Sequence, residues 1–269
     1  MVVQIIEMKD VSFSFGKEKI FDKLNLTFDK GTFTTIAGSN GSGKSTLLKL
    51  IDGFYSFKGT ILVDQLQLSD TNRKEIRKKI GMIFDNPDLN FVTETVEDEI
   101  VFPMENLRFS REMMEERLLE VLELFQLEEI REYSVHQLSG GQKQLVSFAA
   151  SYALMPDILL LDEAFSMIDF KTKEKILKIM KKLQKKGTTI IQVTNDLEES
   201  IYSDRIILLN NGKIVGDGSK STVLCDEKLL RKAGLEPPFM ADLSIKLKYY
   251  GLVDDPIFEP DRMVNHLWK

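Results

Sequence analysis

Two short stretches hold residues whose types and spacing can do chemistry. Residues 38–46 read Gly38-Ser39-Asn40-Gly41-Ser42-Gly43-Lys44-Ser45-Thr46 and fill the phosphate-loop pattern G-x-x-x-x-G-K-[ST]. Glycines in such a loop let successive backbone N–H groups turn inward around a polyphosphate, and a helix starting there adds partial positive charge. Lys44 would reach the β- and γ-phosphates, and Ser45 would offer its hydroxyl to Mg2+. The second stretch is Ile158-Leu159-Leu160-Leu161-Asp162-Glu163, four apolar residues followed by two acids. That order suits a buried parallel strand with carboxylates at its C-terminal end. Asp162 would hold the Mg2+ shell, directly or through water. Glu163 would orient or activate a water. Phe13 and Phe15 are two apart, so on a strand they face one side; one of them could stack on a purine, or both could be core.

These groups need a scaffold, and the surrounding pattern supplies one. The apolar, β-branched run 33–37 reads as the strand before the loop, and 47–51 as a helix after it that ends near Gly53. Residues 2–15 and 20–28 read as strands, 59–63 as a short one, and 72–79 as a charged helix. Residues 80–84 form a buried strand ending at the turn signal Asp85-Asn86-Pro87. Thr95 reads as an N-cap with acids in the following turn, and 111–127 carries an apolar stripe at helical spacing, so 86–137 is expected to be a helical insertion. Helices are expected over 143–153 and 171–186, the latter ended by Gly187. A strand over 188–193 ends in Thr194-Asn195-Asp196, and Asn211-Gly212 signals a hairpin between 205–210 and 213–215. From Ser219 the character changes: helices are expected over 227–233 and 241–251, and an irregular tail over 254–269 with Pro256 and Pro260.

Bulk properties narrow the class. At 269 residues, 43% hydrophobic and 29% charged, the chain suits one large α/β domain or a domain plus a small appendage. A net charge of −6 without a long basic run argues against a nucleic-acid partner. The lone Cys225 excludes an intrachain disulfide and reads as a small hydrophobe. His136 and His266 are too few and too scattered for a histidine metal site. No segment approaches the roughly 18 uninterrupted apolar residues of a membrane span. Residues 1–10 lack the character of a signal peptide, so a membrane role is expected to come through a partner.

The string Leu138-Ser139-Gly140-Gly141-Gln142, shortly before the apolar-Asp-Glu strand, adds a family. With the phosphate loop it makes residues 3–218 resemble the nucleotide-binding subunit of ATP-binding cassette (ABC) transporters. The resemblance implies a P-loop NTPase: a mostly parallel sheet core, N-terminal antiparallel strands, a helical insertion and a small C-terminal helical segment. It implies two cassettes sandwiching ATP, with Mg2+ as cofactor. Ser139, Gly140, Gly141 and Gln142 would serve the site built on the partner's phosphate loop. Phe15 becomes the expected base stacker. Residues 84–92 and 95–99, Leu229-Leu230, Gly234-Leu235-Glu236-Pro237 and 247–252 narrow the likeness to the ATPases of energy-coupling factor importers of vitamins and metal ions. That implies a second homologous ATPase, so a heterodimer; a transmembrane coupling protein; a substrate-binding membrane protein; and a place on the cytoplasmic face of the membrane. It implies domains at 1–219 (cassette) and 220–269 (dimerisation). The helical insertion and the Asp85 loop would form the docking groove. Acids there, Asp88, Glu97, Asp98 and Glu99, suggest a basic incoming helix.

The chain departs from the family pattern at several places. Asp85 stands where the family usually has Gln, and would serve as a Mg2+ ligand beside the phosphates. Asn195 stands where it has the γ-phosphate-contacting His. Ala164-Phe165 replaces Pro-Thr, Ile168-Asp169 replaces Leu-Asp, and Leu145 replaces an Arg after the signature. Losing one transition-state donor typically costs ~10²–10³ in rate. Two readings follow: an importer ATPase that drives uptake, or a nucleotide-binding but slow module that completes a different ATPase's site. A soluble ABC protein of DNA repair or translation would carry a long coiled-coil insertion or two cassettes, and neither is present.

Overall fold

Apolar alternation decides the first layer. β1 (Gln4–Phe15) turns Ile6, Met8 and Val11 inward, and β2 (Glu18–Asp29) turns in Phe21, Leu24, Leu26 and Phe28. The computed structural model describes residues 3–166 and 168–268, less the Leu89 side chain. β3 (Phe33–Ala37) leads through the phosphate loop into α1 (Lys44–Ile51); β4 (Lys58–Val63) and β5 (Leu66–Gln67) follow. β2-β1-β4-β5 form an antiparallel sheet.

The second layer is the sheet the site is built on. After α2 (Arg73–Lys79) come β6 (Ile80–Ile83), α3 (Val96–Asn106), α4 (Arg111–Phe125), α5 (Gly140–Ala153), β7 (Ile158–Asp162), α6 (Phe170–Lys185), β8 (Thr189–Thr194), β9 (Arg205–Asn210) and β10 (Lys213–Ser219). The order is β10-β9-β3-β8-β7-β6, parallel from β9 to β6, with β10 antiparallel at one edge. β3, β7 and β8 are buried throughout, as strands covered on both faces must be. Along β7 the faces alternate. Ile158 and Leu160 enter the core shared with α1 and the antiparallel sheet, whereas Leu159 and Leu161 enter the core shared with α4, α5 and α6. Among the described residues no helix is long and apolar enough to cross a membrane.

Residues 86–137 form the expected helical arm. Thr95 caps α3 by accepting the Asp98 N–H, a bond typically worth ~1 kcal/mol. Arg117 of α4 reaches the last carbonyls of α5, donating to Tyr152 O at 2.8 Å and Ala153 O at 3.2 Å. The acids expected to meet a basic helix are engaged within the chain. Glu99 is buried and accepts from Val92 N, Thr93 N and Thr93 Oγ1, and Glu97 pairs with Arg131 through both carboxylate oxygens. Asp98 accepts from Thr95 Oγ1, and Asp88 pairs with Lys143 at 2.6 Å. Asp88 and Glu97 are thus paired with cations of this chain and Glu99 is buried, which leaves Asp98 as the exposed acid of the four with no cationic partner among the described residues.

Past β10 the chain continues without a linker, since Ser219 both ends that strand and caps α7 (Lys220–Leu224). Then follow α8 (Glu227–Lys232), α9 (Phe239–Tyr249) and α10 (Pro260–Leu267). Val223, Leu224, Leu230, Ala233, Leu235 and Phe258 share a core with Ala37, Ile206 and Leu208 of the sheet. The irregular tail expected over 254–269 is half wrong. Pro260 opens α10 at its first turn, where a missing N–H costs nothing, and Met263 is buried against Met240 and Val253. Phe239, Tyr249, Tyr250, Leu252 and Trp268 stay exposed.

Candidate functional site

Sheet order brings the site together. β3, β8, β7 and β6 are neighbours and parallel, so the segments leaving their C-terminal ends emerge side by side. Those segments begin with Gly38, Asn195, Glu163 (after Asp162) and Phe84 (before Asp85). An open cleft of about 570 Å³ lies there, lined by Phe15, Asn40, Gly41, Gly43, Lys44, Ser45, Thr46, Asp85, Asp162 and Glu163. Glu18, Ile20 and Lys49 line it as well.

The phosphate loop is shaped by close packing. A Cβ on Gly38 would collide with Leu209 O, and Gly43 caps α1 with φ 106°. Ser42, within the loop, is 2% exposed, and its hydroxyl has no hydrogen-bond partner among the described residues. Lys44 is buried, and a buried ammonium needs partners. Its Nζ donates to Gly38 O at 2.9 Å and Ser39 O at 3.2 Å and stands 3.4 Å from Glu163 Oε1.

The acids meet the loop directly. Ser45 Oγ donates to Asp162 Oδ1 at 2.6 Å, and Lys49 Nζ is 3.9 Å from Asp162 Oδ2. Burial raises the Asp162 carboxyl above its ordinary value; the Ser45 bond and Lys49 oppose this, while Glu163 and Asp85 push it further up. Asp85, Asp162 and Glu163 line one cleft with the Ser45 hydroxyl on Asp162, hard oxygen donors of the kind a divalent cation takes. Among the described residues no group of three or more His, Cys, Asp or Glu converges as a cage, so such a cation would complete its shell with phosphate oxygens and water. Glu163 itself takes φ 47°, a left-handed conformation that is uncommon for a residue with a Cβ.

Asn195 does not line the cleft; it is exposed, and its Nδ2 donates to Asn40 Oδ1 of the loop at 3.1 Å. Between the two candidate stackers the structure distinguishes plainly. Phe15 is 46% exposed at the cleft, whereas Phe13 is stacked on Tyr55 at 5.1 Å and meets Phe15 edge-on at 4.8 Å. Ser139, Gly140, Gly141 and Gln142 lie outside this cleft, at the start of α5. That helix begins three residues before its expected start, because Ser139 and Gln142 form a reciprocal capping box. Ser139 Oγ accepts the Gln142 N–H, and Gln142 Oε1 accepts the Ser139 N–H. The Ala164-Phe165 departure has a packing reason: Phe165 is buried and stacks on Phe148 of α5 at 5.7 Å.

Sequence reasoning missed three supports. Lys49 lies one helical turn after Ser45, a spacing that puts both on one face of α1. Lys173 of α6 binds Asp196 Oδ2 at 3.1 Å and Glu199 Oε1 at 2.9 Å, anchoring the segment that carries Asn195. Gln144 of α5 donates to Phe84 O, tying the signature helix to the Asp85 loop. The last two join residues far apart in the chain, which no local string reveals.

The comparisons with known proteins agree with one another. The family described as ABC transporter matches residues 21–166. The energy-coupling factor transporter ATP-binding protein EcfA of Pediococcus pentosaceus is 42% identical over 253 residues, covering 92% of this chain and 90% of that protein. Among solved structures, cbiO1 from Clostridium perfringens, part of the ABC transporter complex cbiONQ, superimposes with a TM-score of 0.78 at 26% identity, covering 89% of this chain and 98% of that one. A dimeric, post-hydrolysis structure of the ATP-binding cassette MJ0796 bound to ADP and Pi gives a TM-score of 0.72 at 31% identity, over 80% of this chain and 98% of that one.

Proposed function

Since this chain belongs to the ABC transporter family, we propose that it is the ATP-binding and hydrolysing subunit of an energy-coupling factor importer, powering uptake of a small solute through a membrane partner. The observation that carries this reading is the joining of loop and acid strand in one cleft, with the Ser45 hydroxyl on the Asp162 carboxylate at 2.6 Å.

On this reading the polyphosphate lies along the N-terminus of α1 with Lys44 at its β- and γ-phosphates. Phe15 stacks on the base. Ser45 and Asp162, with Asp85 lining the same cleft, would hold Mg2+, which would offset the negative charge of the phosphates when bound. Glu163 would hold a water and take its proton as the water oxygen bonds to the γ-phosphorus and the bond to the β-phosphate oxygen breaks, releasing ADP; its place 3.4 Å from Lys44 sets it beside the phosphates. Asn195 contributes a donor beside Asn40.

The same reading pairs this chain with a second homologous ATPase, whose phosphate loop would face Ser139 and the N-terminus of α5. It sets the pair on the cytoplasmic face of the membrane. There a transmembrane coupling protein, itself joined to a substrate-binding membrane protein, docks. A groove of about 230 Å³ that sets the apolar Phe84, Phe91, Pro103 and Leu154 beside the polar Asn90 and Ser147 suits an amphipathic segment of that partner. The exposed aromatics of α9 and the tail suit pairing of the two C-terminal segments.

The test separates binding from turnover in the purified transporter complex. Lys44→Ala should abolish ATP binding at this chain's loop, and Glu163→Gln should keep binding while stopping hydrolysis at that site. Wild-type ATP affinity in Lys44→Ala would overturn the assignment of the loop.

A further inference from the structure

The phosphate loop is held from behind at two points, and one residue joins them. In the turn between β9 and β10, Gly212 donates its N–H to Ser42 O at 3.0 Å. At the other end of the loop Ser39 donates its N–H to Ala233 O at 3.3 Å. Asn210, two residues before Gly212, donates its Nδ2 to Lys232 O at 2.7 Å. The turn that ends α8 is therefore clamped between the hairpin and the loop. Beneath it Ala37, the last residue of β3, shares a core with Leu230, Ala233 and Leu235.

Gly234 completes the clamp. Its φ of +71° ends α8 in the left-handed conformation, and a Cβ there would lie 3.4 Å from Ser39 Cβ. A helix stop alone would explain the glycine. It would not explain why the orphan carbonyls of Lys232 and Ala233 are taken by Asn210 and by the phosphate loop rather than by water.

We propose that Asn210 and Gly234 are positioning residues of the nucleotide site, through which the C-terminal segment sets the affinity of its own phosphate loop for ATP. This rests on reading residues 38–46 as the phosphate site. A loop that binds through inward-facing N–H groups must be ordered before it can bind, and each fixed point lowers the ordering cost met on binding. Linkage makes the effect reciprocal: ATP that favours the clamped loop also favours the clamped turn.

The experiment titrates ATP with Mg2+ into the full-length chain and three variants. Asn210→Asp puts an acceptor where the donor stood, and Gly234→Ala strains the turn. Each should weaken ATP binding roughly three- to tenfold, the loss of about one hydrogen bond. In the assembled complex KM for ATP should rise by the same factor with kcat within about twofold. The unfolding midpoint of nucleotide-free Asn210→Asp should fall only slightly, as the loss of one exposed hydrogen bond requires, whereas a merely structural role would lower the midpoint and leave the KM for ATP unchanged. In the wild type, ATP should slow hydrogen exchange at the Gly234 and Leu235 amides, and Asn210→Asp should lose that response. Lys44→Ala is the control for the loop itself. If it loses ATP while both clamp variants bind like wild type, the clamp proposal is overturned and the loop reading stands. If Lys44→Ala binds normally, the loop reading falls and the proposal with it.

Discussion

Lys173→Met should be among the most damaging single changes outside the cleft, and acid should repair it. The Lys173 ammonium lies 2.9 Å from Glu199 and 3.1 Å from Asp196, and Glu199 is 3% exposed. Methionine keeps the stem's volume but leaves the Glu199 carboxylate with neutral donors alone, the amide of Gln192 at 3.1 Å and the Thr194 hydroxyl. Removing one partner of a buried ion pair costs about 3–5 kcal/mol. The lysine side chain is 19% exposed, so water reaches the gap, and the lower end, ~3 kcal/mol, is the expectation. Burial already holds the Glu199 carboxyl above its ordinary value against the pull of Lys173, and without the lysine it rises further. A carboxyl whose folded pKa is raised binds more protons in the folded state, so its charge costs stability above that pKa and the cost fades as pH falls through it. Urea unfolding of both proteins at about pH 7.5 and about pH 5 should show the deficit shrinking in acid. Lys173→Met/Glu199→Gln should recover most of it at neutral pH, because a removed pair is far less harmful than a broken one. A deficit under about 1 kcal/mol, or one independent of pH, would refute the argument.

Two further outcomes follow from single features. Asp52, at the C-terminal end of α1, has its carboxyl pushed up to about 6 by burial, with Arg77 pulling the other way. Asp52→Asn should therefore stabilise the chain by about 1–3 kcal/mol above pH ~6, and the gain should vanish as pH falls toward the ordinary carboxylate range; chemical denaturation across that range checks it. Charged substitutions at Tyr249 and Trp268, both exposed, should weaken association of the two ATPases by tenfold or more in sedimentation, as about 1.4 kcal/mol per tenfold requires. Deleting the segment is the poorer test, since Ile206 and Leu208 would lose their cover.

The chemistry was legible because it is written in short strings. Residues 38–46 and 158–163 each state a backbone shape and a charge within one stretch, and the parallel sheet then had to bring their ends together. The capping box at Ser139 was equally local, as Ser139 and Gln142 stand three apart, and was overlooked in favour of the signature's glycines. α10 was missed because Pro260 reads as a breaker unless one knows that Met263 has a core to enter. The acids of the helical arm were beyond reach of the sequence. Glu97 meets Arg131 from 34 residues away, and Asp88 meets Lys143 from 55. A carboxylate's partner across such distances is a property of the packed arm.

The stacked pair Phe148 and Phe165 has a consequence for descent. Phe165 follows the acid strand and Phe148 lies in the signature helix, both buried, with ring planes 27° apart. Shrinking either ring alone would open a void, at a cost of about 3–5 kcal/mol for a full truncation, and enlarging its neighbour alone would strain the core. A lineage cannot easily drift from Ala164-Phe165 to Pro-Thr while keeping an aromatic ring at 148. The two positions should thus be coupled, and related chains should divide into those bearing both aromatic rings and those bearing neither.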